Sequence, residues 1–365
     1  MLKNGKQGNE MVHEDNRKTD YIRIYRFIIL NLFVLFFTIQ GQQVRVSKYG
    51  TILESDSQAI KNGILEKVAI YPHLQSESSK RIMRKGYLVR YDNADATIVT
   101  CHGFMCDKFD VSFLRRVFPR QRYNIMSFDF RGHGEDTAGQ YCTFGRDEAL
   151  DVIAAVKFIK SHPSIKDKPV LAYGFSMGAV SLIEAQAKDS SLFEAMILDC
   201  PFDSSENMLK KGLAGIKFTL FGYQFSIPCK SILERYAFHP YIQALVKAVL
   251  RTVAQFDPRD ISINICRFSP AESIKKVHIP CFFIHCKNDE KISVGSIKSI
   301  FRGAQGYKQL WITGGRRHFD SFFYNPEKYT ERIRNFIKMV MNSEFEKNPK
   351  QAIIDDGDDE WWVSY

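Results

Sequence analysis

Val170-Leu171-Ala172-Tyr173-Gly174-Phe175-Ser176-Met177-Gly178-Ala179-Val180-Ser181-Leu182-Ile183 is the stretch from which the rest of the chain is read. An apolar run of strand type leads into a glycine-flanked serine, and a helical pattern follows at once. A serine at the apex of a strand-to-helix turn projects its hydroxyl away from the sheet, toward a substrate. Gly174 and Gly178 stand where side chains would collide with the incoming strand or the outgoing helix. The backbone N–H of Met177, at the helix start, points to where negative charge develops on a reacting carbonyl. Ser176 is the candidate nucleophile and Met177 a candidate oxyanion donor.

A nucleophilic serine needs a base, and the base needs an orienting acid. Downstream lie His239, His278, His285 and His318. His318 alone follows a strand-like run (residues 309–313) and a glycine loop, Gly314-Gly315-Arg316-Arg317. That is where a base must be presented, beyond a strand's carboxyl end. His285 ends the apolar run Cys281-Phe282-Phe283-Ile284 and is expected to be half-buried. The acid belongs between Ser176 and His318 and also just past a strand. Asp289 satisfies this, with Asp199, at the end of residues 195–198, as the competing choice and Glu290 a further one. Asp320 is too close to His318 to reach around it.

A second oxyanion donor is expected after an early strand. Residues 96–101 read as a buried strand running into His102-Gly103-Phe104-Met105. Gly103 lets the chain turn so that the N–H of Phe104 faces the nucleophile. His102 reads as a structural prop for this loop.

Taken in order, these pieces resemble the α/β-hydrolases of the serine aminopeptidase-like and monoacylglycerol lipase-like branch. They are His102-Gly103-Phe104, Asp129-Phe130-Arg131-Gly132-His133-Gly134, Thr143-Phe144-Gly145 with Glu148 and Asp151, residues 174–178, Asp289 and His318. The resemblance spans about residues 85–340. It implies a Ser176–His318–Asp289 triad and an oxyanion hole from Phe104 and Met177. The chain departs from the branch at Cys286, where glycine is usual, and at Arg316-Arg317, where smaller residues are commoner.

The α/β reading holds along the chain. Strand-like runs occur at 86–91, 97–101, 124–130, 170–173, 195–198, 281–285 and 309–313. Helical patterns at 146–160, 177–187 and 326–341 lie among them. The last carries Tyr329, Ile333, Phe336, Ile337 and Val340 at helical spacing behind Asn325 as cap and Pro326 at the first position. Such alternation predicts a mostly parallel sheet covered on both faces. The chain of 365 residues, 45% hydrophobic, is long enough for one large core of this kind. Residues 204–268 exceed what a crossover needs. They are expected to form a helical cap insert whose aromatics, Phe221 and Phe225 first, roof an apolar pocket.

The expected organisation is an amino-terminal segment 1–45, a hydrolase domain 46–345 and an acidic, disordered tail 346–365. Residues 27–39 are almost wholly apolar and follow Arg23 and Arg26. An uncleaved membrane anchor is the first reading, a cleaved signal or a helix packed on the domain the others. A formal charge of +10 comes without a nucleic-acid motif, so no nucleic acid is expected as partner, and anionic lipid headgroups are the second reading after a solvated basic surface. Eight cysteines show no zinc spacing and fit reduced, packed thiols.

The expectation is therefore a serine hydrolase that transfers the acyl group of a carboxylic ester, thioester or amide to water without cofactor or metal, on a small-molecule or lipid-like acyl substrate. A peptidase, an acyltransferase and a non-catalytic binding protein are the alternatives.

Overall fold

The computed structural model describes residues 65–72, 83–119, 121–134, 140–215, 217–220, 223–226, 238, 262–347, 351–355 and 360–364. Residues 27–39, Phe221 and His239 lie outside these.

The strands in chain order are β1 (Leu65–Ile70), β2 (Arg84–Val89), β3 (Ala96–Cys101), β4 (Tyr123–Phe128), β5 (Tyr141–Cys142), β6 (Val170–Phe175) and β7 (Ala195–Asp199). They continue with β8 (Lys217–Leu220), β9 (Tyr223–Ser226), β10 (Ser262–Ile263), β11 (Cys281–Cys286), β12 (Lys308–Thr313), β13 (Gln351–Asp355) and β14 (Glu360–Ser364). The helices are α1 (Leu114–Val117), α2 (Glu148–Ser161), α3 (Met177–Lys188), α4 (Ser205–Gly215), α5 (Pro270–Ser273), α6 (Val294–Gly303), α7 (Ser321–Tyr324) and α8 (Pro326–Met341).

Among the described residues one sheet runs β1-β2-β4-β3-β6-β7-β11-β12-β13-β14. From β4 to β13 every neighbouring pair is parallel; β2 is antiparallel to β4, and the edge pairs β1–β2 and β13–β14 are antiparallel. Parallel strands need covered crossovers, and side chains on a strand alternate between faces. Val99, Ala172, Met196 and Leu198 pack on one face with α2 and α3, while Ile98, Leu171, Tyr173 and Ile197 pack on the other with α1 and α8. Both faces are thus buried, which is why the central strands read as continuous apolar runs.

Helix α8 forms where its pattern predicts. The Asn325 side chain accepts from Lys328 N, Pro326 takes the first position, and Tyr329, Ile333, Phe336, Ile337 and Val340 are its buried residues. Those side chains fall on one stripe at 3.6 residues per turn and meet the sheet.

Two expectations are corrected. Within the tail, residues 351–355 and 360–364 form strands: β13 pairs in parallel with β12, and β14 closes the edge. Short apolar Ala352-Ile353-Ile354 finds the exposed ladder of β12, Ala352 is buried, and Asp355 bonds Arg332 of α8. Backbone pairing at an open edge outweighs the acidic composition that suggested disorder. The insert after β7 is also not wholly helical. It opens with α4, and the hairpin β8–β9 follows, pairing Phe218 with Phe225. Phe225 therefore sits on a strand. The alternating, aromatic and β-branched run there favours a hairpin over a helix.

Candidate active site

β6 ends at Phe175, and Ser176 turns the chain with φ 51° and ψ −118° before α3 begins at Met177. A non-glycine residue in that region is strained, and here neighbouring contacts impose it. Ser176 N donates to Asp199 O at 2.7 Å and Ser176 O accepts from Val180 N. A Cβ on Gly174 would lie 2.6 Å from Gly178 C and 2.7 Å from Ala179 N, so no side chain fits inside the turn.

His318 arrives from the loop after β12. Its Nε2 lies 2.9 Å from Ser176 Oγ and its Nδ1 2.7 Å from Asp289 Oδ2. Asp289 stands past the end of β11. Its Oδ1 accepts from Lys291 N at 2.8 Å and Ile292 N at 2.9 Å, so the carboxylate is held at both oxygens. Burial alone would raise the Asp289 pKa, but the His318 hydrogen bond and charge and the Ile292 N–H hold it below the ordinary aspartate value. The group stays ionised, as an acid that orients an imidazole must.

Asp199, the competing acid, does not touch His318. It is fully buried, and its Oδ2 accepts from Tyr329 at 2.8 Å and Tyr173 at 3.4 Å. Burial raises its pKa to about 8 against these bonds. Glu290 is exposed, and Asp320 Oδ2 accepts from Arg316 N instead of serving the imidazole.

The early loop is fixed from below. His102 is fully buried, with Nδ1 bonded to Gly103 O at 2.8 Å and Nε2 accepting from Phe130 N at 3.0 Å. Both ring nitrogens are spent on the main chain, and burial lowers the pKa to about 4, so the ring is a neutral prop. A Cβ on Gly103 would lie 2.5 Å from the Phe175 ring. That close approach brings Phe104 beside the elbow, its ring 4.7 Å from that of Phe144. Met177 is the first residue of α3, where N–H groups have no intrahelical acceptor.

The motif residues Asp129, Arg131, Thr143, Gly145, Glu148 and Asp151 are joined by three partners the sequence did not single out, Lys108, Arg84 and Lys211. Lys108 forms a buried ion pair with Asp129 at 2.7 Å, its own N–H also donating to Asp129, and so ties the early loop to the turn after β4. Arg84 and Arg131 both pair with buried Asp151 of α2, while Glu148 accepts from Thr143 and Gly145. These loops are pinned to the helix that packs beside α3. Lys211 of α4 donates to Asp289 O at 3.2 Å, a link from the insert to the acid loop. Lys108, Arg84 and Lys211 carry no local signal, because each meets its partner from a distant part of the chain. A cavity of about 480 Å³ lies beside this loop, lined in part by Lys210, Lys211 and Lys291. The side chain of Phe225 is not described, and Phe221 lies outside the described residues.

The sheet and its covering helices are those of the α/β-hydrolase fold. A family model described as serine aminopeptidase, S33, matches residues 92–223. The chain is 21% identical to the Pyrococcus furiosus esterase Pf2001, with a TM-score of 0.55 over 78% of this chain and 95% of that one. It is likewise similar to the α/β hydrolase GrgF from Penicillium sp. sh18, with 17% identity and a TM-score of 0.54 over 76% and 99%. In sequence it is 25% identical to the uncharacterised Bacillus subtilis protein YqkD over 71% of this chain and 76% of that one. It is 22% identical to the Caenorhabditis elegans α/β hydrolase domain-containing protein aho-3 over 68% and 59%. The chain has the α/β-hydrolase fold.

Proposed function

We propose that the chain is a serine hydrolase that cleaves an ester or thioester of a lipid-like acyl group through an acyl-enzyme. The observation that carries this reading is the His318 imidazole set between Ser176 Oγ at 2.9 Å and the buried Asp289 carboxylate at 2.7 Å. In this reading His318 takes the Ser176 proton as the oxygen attacks the carbonyl carbon. The N–H groups of Phe104 and Met177 receive the developing oxyanion. Asp289 keeps the Nδ1 proton on His318 and stabilises the imidazolium. His318 then protonates the leaving group, and water repeats the sequence on the acyl-serine.

An aminopeptidase needs an anionic anchor for the substrate amine. The cavity beside the acid loop sets Lys210, Lys211 and Lys291 against the single carboxylate of Asp203, a positive balance that supports neutral or anionic substrates over such an amine. The apolar residues 27–39 and the net charge of +10 support a membrane as the source of acyl substrate. Among the described residues no helix is long and apolar enough to cross a membrane.

The test is fluorophosphonate labelling of the full chain, followed by hydrolysis of esters and thioesters of increasing acyl length. Labelling at Ser176 with preference for longer chains is expected. Labelling elsewhere, or turnover only of amino-terminal peptides, overturns the reading.

A further inference from the structure

His285 stands next to last on β11 with no exposed surface. Among the described residues neither of its ring nitrogens makes a hydrogen bond of good geometry, although the Ile292 main chain lies near enough to act on the ring. A buried imidazole left in this state costs several times what an ordinary hydrogen bond contributes. Such a group points to a ligand of its own.

Two other donors converge on it. Cys200 follows β7, the strand beside β11, and its N–H donates to Ile284 O at 2.9 Å. Its φ is 51°, a left-handed conformation uncommon outside glycine and costly for a cysteine. Asp289 comes from the loop beyond β11. One ligand atom from each of Cys200, His285 and Asp289 lies within 4.8 Å of the others, and all three residues are buried.

We infer that Cys200, His285 and Asp289 form a binding site for a soft divalent cation, zinc or cadmium, that shuts off the triad when filled. A thiolate, an imidazole and a carboxylate are the donor set zinc takes, at about 2.0–2.3 Å. With donor atoms up to 4.8 Å apart the cluster must draw in around the ion to reach that radius, and a water completes the tetrahedron. Hard cations such as calcium and magnesium prefer oxygen donors and are disfavoured here. Binding forms a sulfur–metal bond and releases the Cys200 thiol proton to solvent. No electron is transferred.

Inhibition follows from the shared ligand. Asp289 holds His318 through Oδ2 and two main-chain N–H groups through Oδ1. A cation drawing on the same carboxylate withdraws charge from the imidazole and shifts the loop that aims it. Because the three donors are buried, the loop must open before the metal enters, so inhibition sets in slowly. The inhibitory part rests on the serine hydrolase reading, whereas binding of the metal does not.

The test uses the full chain freed of metal by chelation and kept reduced. Cadmium is titrated while its ultraviolet thiolate charge-transfer band is followed, and zinc is then measured by equilibrium dialysis. Wild type is compared with Cys200→Ser and His285→Asn. One equivalent should bind in wild type beyond what either variant binds, with affinity about 10- to 100-fold above the variants. Zinc should slow Ser176 fluorophosphonate labelling progressively, chelator should restore it, and Cys200→Ser should resist. Labelling without metal tests the hydrolase reading separately. Equal binding by wild type and Cys200→Ser overturns the inference, as does rapid inhibition shared by both. If neither variant folds, zinc must still raise the melting temperature of wild type, and its failure to do so is equally decisive.

Discussion

Asp289 Oδ2 and His318 Nδ1 stand 2.7 Å apart although 29 residues separate them in the chain. Each belongs to a loop beyond the carboxyl end of its own strand, and β11 and β12 are parallel neighbours in register from Cys281↔Lys308 to Cys286↔Thr313. Parallel pairing puts both strand ends at the same edge of the sheet. The carboxylate and the imidazole are therefore delivered to one place by the sheet itself, and the loops add only the last few ångströms.

Ser176→Ala removes a single hydroxyl that His318 Nε2 contacts at 2.9 Å. Fluorophosphonate labelling should vanish and ester turnover fall by roughly 10⁴–10⁶-fold. The melting temperature should change little, because the turn is held by main-chain contacts. Calorimetry alongside the labelling gel checks both.

The two carboxylates should separate clearly. Asp289→Asn leaves the shape but favours the wrong imidazole tautomer, and kcat should fall by about 10⁴-fold. Asp199→Asn touches no reacting group, and kcat should stay within about tenfold of wild type. Steady-state kinetics on one chromogenic ester distinguishes them; the reverse order would make Asp199 the acid.

Asp199 and Asp289 also pull stability in opposite directions with pH. Burial raises the Asp199 pKa to about 8, whereas an unfolded aspartate titrates near ~4. Its contribution is full below the unfolded value, falls as pH rises, and is lost once pH passes about 8. Asp289 is depressed by His318 and by main-chain donors, so its contribution is present above the unfolded value and lost as pH falls through the folded one. Asp199→Asn should flatten the decline in urea midpoint between about pH 4 and 8. An unchanged decline would mean that Asp199 ionises normally in the fold.

Removing residues 348–365 should expose the ladder of β12 that β13 now covers, and release Arg332 from Asp355. An unpaired edge invites pairing between chains. The truncated protein should melt lower and associate with concentration, as size-exclusion chromatography would show. A monomer of unchanged stability would mean that β13 and β14 add nothing to the sheet.

Much of this protein is written locally. The pentapeptide around Ser176 specifies its own elbow, because Gly174 and Gly178 are the residues that let strand and helix approach. The seven expected strands all form, since fully buried parallel strands appear as unbroken apolar runs. Helix α8 carries its cap, its proline and its buried stripe within itself.

What stayed hidden depends on partners distant in the chain. The ordering of strand, loop and residue nominated Asp289, yet Asp199 satisfied the same rule. Only the tertiary structure separates them, by giving one carboxylate His318 and the other two tyrosines. The acidic tail resembled a disordered segment because composition does not record an open edge waiting on β12. Cys200 and His285 show no metal spacing, since they sit 85 positions apart, one just past β7 and the other on the neighbouring strand β11. Local pattern determined which elements form, because propensity and periodicity act over a few residues. Strand pairing decided which side chains meet, because contacts between elements depend on the sheet's order in space.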